Sequence, residues 1–209
     1  MNADLMLKNV TPESIVGGSW AALLTPVDDD SWAHYAKYGD TDQRGEGSVW
    51  AVLTALLAIR DGGIAAAYAG PDLYSDLNEY IRTGTEKSRM VGEAVYAALG
   101  EQNQRHPVLY RGYRFSNASQ QDAFVERLKV GRLEGLLSCS EDVNVAIGFA
   151  PNAYSLVLTI NNPPASVPVE THSCYDAECE QVLLGLSYSV EKLTYHPSGL
   201  ITATLNCKE

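Results

Sequence analysis

Val108-Leu109-Tyr110-Arg111-Gly112-Tyr113 marks the point where the chain changes period. Upstream of it, apolar residues recur at helical spacing. Val49, Val52, Leu53, Leu56 and Leu57 form a stripe behind Ser48, ended by Asp61-Gly62-Gly63. Leu73, Leu77, Tyr80 and Ile81 predict a helix over 72–83, with Gly84 as its stop. Met90, Val91, Ala94, Val95, Ala98 and Leu99 predict another over 87–102. Near the N-terminus, Asp28-Asp29-Asp30-Ser31 reads as a cap cluster before Trp32, Tyr35 and Ala36. Downstream, strands are predicted at 108–113, 135–138, 154–160, 166–169, 180–187 and 200–205. Short helices are predicted at 120–130 and at 140–149, the second capped by Ser140. Helices first and strands later indicate an α+β fold rather than alternating βαβ units. The organisation expected is one domain over 1–209, helical over 1–105 and β-rich over 106–209.

Composition sets limits on function. Of 209 residues, 45% are hydrophobic and 20% charged, an ordinary globular balance with enough apolar surface for a core. No apolar run reaches the roughly 20 residues of a membrane span, and residues 1–8 lack a basic-then-apolar leader, so the expectation is a cytoplasmic protein with no membrane partner. Fifteen Lys and Arg against 26 Asp and Glu give a formal charge of −11, which disfavours a phosphate-tracking nucleic-acid binder. Cys139, Cys174, Cys179 and Cys207 form no C-x2-C pair, so neither a metal nor a disulfide framework is expected.

Three polar features interrupt apolar strands. Arg111 stands before Gly112; Ser138-Cys139-Ser140 ends one strand; Glu178-Cys179-Glu180 begins another. Singly, each has an ordinary explanation: an edge arginine, a helix cap, a solvated strand face. In this order they resemble the Arg–Ser–Glu class of mono-ADP-ribosyltransferases, the arginine-type group that includes cholera- and iota-like toxins. The flanks carry the resemblance further. Leu77-Asn78-Glu79-Tyr80-Ile81-Arg82 is similar to the family's helical asparagine–aromatic–arginine segment, and Phe149 follows Ser138 by eleven positions. The resemblance covers roughly residues 70–207. It departs from the family at Cys139, where threonine is usual, and in the short stretch Pro151-Asn152-Ala153. Residues 1–65 carry no family signature.

The resemblance implies a helical N-terminal lobe packed on two mainly antiparallel sheets, with an NAD-binding cleft. It implies NAD as substrate, without a metal. Cleaving the nicotinamide–ribose bond develops positive charge on the ribose, as in glycoside cleavage, and the leaving group is already cationic. The enzyme must therefore orient the dinucleotide and stabilise that charge. By resemblance, Glu180 holds a ribose hydroxyl and faces the developing cation, Ser138 orients Glu180, and Arg111 binds the pyrophosphate. Gly112 lets the nicotinamide amide approach the backbone, and Phe149 forms an aromatic wall. Glu178, two residues from Glu180 and so on the same face of a strand, accompanies arginine acceptors in the family, where it can take a proton from a guanidinium. Tyr175 and Asp176 fall where the family recognises its protein substrate. No Lys or Arg occurs from Leu133 to Glu191, while eight acids do, which suits a target protein presenting an arginine. The alternatives are an NAD glycohydrolase, a catalytically inactive binding protein, and a nucleic-acid-modifying transferase, the last disfavoured by charge.

Overall fold

A computed structural model describes residues 55, 58–59, 63–69, 71–82, 86–101, 104–169 and 179–208. The chain divides into two compact units, Met1–Leu99 and Gly100–Glu209. The cap cluster at 28–31 and most of the helix expected behind Ser48 lie outside the described residues, although Ala55, Ala58 and Ile59 are helical.

In the first unit α1 (Ile64–Ala69), α2 (Pro71–Ile81) and α3 (Glu86–Leu99) pack on one another. The predicted stripes are the packed faces: Leu73, Leu77 and Ile81 on α2, and Val91, Val95 and Leu99 on α3, are all buried. Tyr68 of α1 meets Tyr74 edge to face with ring centroids 5.5 Å apart. The Ser88 hydroxyl donates to the Ile81 carbonyl at 3.3 Å, satisfying one of the acceptors left open at the end of α2. Asn78 is also buried, its amide donating to the Tyr74 carbonyl at 3.1 Å. The alanine-rich α1 is an element the periodicity did not predict.

The second unit holds β1 (Val108–Arg114), α4 (Ala118–Leu128), β2 (Arg132–Ser140), α5 (Val143–Gly148), β3 (Ser155–Asn161), β4 (Val167–Pro168), β5 (Glu180–Tyr195) and β6 (Ile201–Cys207). The strands are hydrogen-bonded in the order β2-β1-β3-β6-β5-β4, with a further pairing of β2 to β5. Among the described strands only β3 and β6 run parallel. Among the described residues the two sheets expected are not separate: the six strands form one hydrogen-bonded network, because β5 is twice the predicted length and takes part in both sets of pairings. Its first half, Glu180–Ser187, pairs with β2, and its second half, Tyr188–Tyr195, pairs with β6. The β2–β5 ladder slips between Leu133 and Leu136, where Gly135 (φ 90°) and Gly185 (φ 66°) take left-handed backbone that bends both strands.

The main core gathers Leu109, Leu137, Leu156, Leu158, Ile160, Leu183, Tyr188, Ala203 and Leu205 from the sheet, and Val125 and Leu128 from α4. Asn117 caps α4 by accepting from the Gln120 amide at 3.0 Å. Buried Gln121 ties α4 to the sheet, donating to the Ser155 carbonyl at 2.8 Å and the Gly199 carbonyl at 3.0 Å. A smaller cluster of Ala146, Ala150 and Val157, with Tyr110 and Leu200, seats α5. Asp142, rather than Ser140, caps α5 by accepting from the Asn144 amide at 2.8 Å. Ser140 is still strand, paired with Glu180, and its hydroxyl accepts from the Asp142 amide at 3.0 Å. Among the described residues no helix is long and apolar enough to cross a membrane.

Candidate active site

Three neighbouring strands bring Arg111, Ser138 and Glu180 together. Ser140 lies opposite Glu180 in the β2–β5 ladder, and Ser138 lies opposite Val182. Cross-strand partners share a face, as do residues two apart, so both serines and Glu180 stand on one side of this pair. The Ser138 side chain stands beside the Glu180 carboxyl and favours its charged form. Arg111 reaches across from β1, and its Nη1 donates to the Ser138 backbone carbonyl. Its guanidinium carbon lies 4.7 Å from the centroid of the Tyr113 ring, within cation–π range.

The electrostatics follow from this geometry. Burial pushes the Glu180 carboxyl above its ordinary range; the Ser138 hydroxyl and the nearby Arg111 charge partly offset that. Arg111 is 8% exposed. One arm of the fork is committed to holding β2, so the residue does more than offer a bidentate anion site. Cys139 points away from the two serines into the core, where burial pushes its thiol up to about 12. It is a small apolar filler rather than a nucleophile.

Gly112 and Phe149 lie on the other face of β1, against α5. A Cβ on Gly112 would overlap the Ala146 carbonyl oxygen and stand 2.9 Å from the Phe149 Cβ. Close packing of α5 therefore accounts for this glycine without any ligand. The Phe149 side chain is 55% exposed, not core. Glu178, Tyr175 and Asp176 lie outside the described residues. β5 begins at Glu180, and Cys179 before it has left-handed backbone at φ 44°.

Part of the acidic stretch has local work. Asp142 caps α5, Glu134 pairs with Arg132, and Glu141 accepts from the Gln181 amide at 3.2 Å. Among the described residues no group of three or more His, Cys, Asp or Glu side chains is placed to hold a metal ion. The residue that sequence reading missed is Gln181. Its signal was an amide standing at the head of the otherwise apolar run Gln181-Val182-Leu183-Leu184.

No protein-family model matches the sequence, and a search of curated proteins finds no match. Solved structures do match. The type III effector XopAI from Xanthomonas axonopodis pv. citri superposes with a TM-score of 0.56 at 13% identity, over 85% of this chain and 85% of that one. The ADP-ribosyltransferase HopU1 of Pseudomonas syringae pv. Tomato DC3000 gives 0.51 at 18% identity, over 66% of each chain. The ADP-ribosyltransferase Vis, solved with an inhibitor, gives 0.50 at 14% identity, over 95% of this chain and 91% of that one. At these identities the likeness is one of fold, and the fold of this chain is that of the ADP-ribosyltransferases.

Proposed function

We propose that this protein transfers ADP-ribose from NAD to an arginine side chain of a target protein and releases nicotinamide. The observation that carries the reading is the meeting of Ser138 and Glu180 on paired strands, with the Arg111 guanidinium reaching them from a third. The set fits NAD chemically: a cation for the pyrophosphate, and a carboxylate for a sugar carbon that turns positive.

Glu180 accepts from a ribose hydroxyl and presents negative charge to the ribose as the bond to nicotinamide breaks. Because it is largely desolvated, its field is less screened than a surface carboxylate's would be. Ser138 fixes the carboxyl's rotamer. Arg111 sets the position of β2 at Ser138 and supplies positive charge for the pyrophosphate. Arginine as acceptor rests on Glu178 and on the family resemblance, with Tyr175 and Asp176 as residues that would meet the target.

The test is nicotinamide release from NAD, followed with and without agmatine as a soluble guanidine. Wild type should form ADP-ribosyl-agmatine, and Glu180→Ala should lose about 10²–10³ in rate. Nicotinamide release without any adduct would make the protein a glycohydrolase. No release at all would remove the enzymatic reading.

A further inference from the structure

A polar cluster lies behind the strand end that carries Glu180, on the opposite face of β5. At its centre Gln181 is 2% exposed and uses its whole amide. Its Nε2 donates to Gln104 Oε1 at 2.9 Å and to Glu141 Oε1 at 3.2 Å, while its Oε1 accepts from the Ser166 hydroxyl at 2.8 Å. Gln104 and Ser166 are joined again through their backbones, Ser166 N to Gln104 O at 2.9 Å. The other oxygen of Glu141 lies 3.6 Å from His106 Nδ1.

These contacts converge on the ends of the strands that bear the site. His106 precedes β1, Glu141 follows β2, Ser166 precedes β4, and Gln181 is the second residue of β5. Glu180 is the first residue of its strand, directly after a residue with left-handed backbone. Strand termini fray where nothing holds them. The apolar run Val182-Leu183-Leu184 could fill this space with one more aliphatic side chain, yet the position holds an amide with three satisfied bonds. Such a buried network fixes one arrangement where an apolar contact would tolerate several.

We propose that Gln181 is a positioning residue for Glu180. It pins the first residues of β5 to the segments before β1, after β2 and before β4, so that Glu180 stays against Ser138. Glu141 is the outer member of that clamp. The inference rests on Glu180 acting on NAD as proposed above.

The experiment measures kcat and KM for nicotinamide release in Gln181→Met, Glu141→Ala and Glu141→Gln. Rates are normalised to NAD-binding sites counted by calorimetry. Gln121→Met, a buried glutamine lost elsewhere in the same unit, serves as the control for general loosening. Titration of the Glu180 carboxyl by carbon NMR is followed in parallel. Gln181→Met should lower kcat about 10- to 100-fold, the range a small misplacement of a reacting group produces, with KM within about 2-fold. Glu141→Ala should act in the same direction and less strongly. Glu141→Gln, which keeps an acceptor, should match wild type. The Glu180 titration in Gln181→Met should move down toward an ordinary carboxylate as the side chain swings into water.

Unchanged kcat per site in Gln181→Met would overturn the proposal, as would a matching loss in Gln121→Met or an unmoved Glu180 titration. Should Gln181→Met not fold, Glu141→Ala at its exposed position decides in the same way. An inactive wild type fails the functional reading and takes this inference with it. An active wild type with an indifferent Gln181→Met fails the inference alone.

Discussion

Gly112→Ala separates two reasons for a glycine beside Arg111. The sequence resemblance assigns the glycine to close approach of nicotinamide. In the structure the space above it is already taken by the Ala146 carbonyl oxygen, a backbone atom that no rotamer change can move. Adding one methyl therefore requires α5 or β1 to shift, and overpacking of this kind costs about 1–3 kcal/mol. For a domain near 100 residues, each kcal/mol lowers Tm by about 4–8 °C, so a loss between about 5 and 20 °C is expected. Gly148, on the same short helix, supplies the control, because a Cβ there meets nothing within 4 Å. Gly148→Ala should be neutral or stabilising by up to about 1 kcal/mol. Thermal unfolding by circular dichroism, with NAD affinity measured well below Tm, reads both effects. A Gly112→Ala protein that melts with wild type but no longer binds NAD would refute the packing argument and restore the ligand's claim on this residue.

Arg111→Lys should reduce nicotinamide release at least 10-fold and lower stability by about 1–3 kcal/mol, because a point charge cannot hold the Ser138 carbonyl and lie flat on Tyr113 together. Normal NAD turnover in that variant would confine Arg111 to the sheet. Gln121→Met should cost about 1–3 kcal/mol by stranding the Ser155 and Gly199 carbonyls, seen as a lower urea midpoint. Glu180→Gln should gain stability over wild type as pH rises. The folded carboxyl titrates above its ordinary 4.5, so its contribution is intact below that value and is lost as pH climbs through the folded pKa. The Tm difference between Gln and Glu should be near zero at pH 4 and positive at pH 7; a negative difference at pH 7 would contradict the burial argument.

The sequence picked out three residues that the fold does bring together. Arg111, Ser138 and Glu180 were legible through their order along the chain, which resembles the Arg–Ser–Glu transferases; singly, each had an ordinary explanation. The architecture around them was less legible: β5 continues eight residues past its predicted end, because the alternation of Tyr188 and Val190 slips by one residue at the bulge before Lys192, leaving Leu193 and Tyr195 out of phase, and pairing with β6 holds the strand together. Ser140 looked like a helix cap because serine before a polar pair usually is one; its pairing with Glu180 keeps it in the strand and passes the cap to Asp142. The helix α1 escaped notice because Ile64-Ala65-Ala66-Ala67-Tyr68-Ala69 has helix-forming residues but too few large side chains to make a stripe. Gln181 showed only as an amide at the head of an apolar run, because its partners come from residues up to 77 positions away.

The arrangement of β5 also dictates how this unit can fold. β3 acquires its parallel neighbour β6 from about 45 residues downstream, and β2 waits for the first half of β5 across a similar gap. Until those later strands join, β2 and β3 present bare backbone edges, and their apolar faces lack the neighbours that β5 and β6 supply. Chains dominated by such distant pairings close their loops late and fold in milliseconds to seconds rather than microseconds. The second unit should therefore collapse in one cooperative event once β5 and β6 are present. A fragment ending at Asn161 should aggregate, not hold a partial sheet.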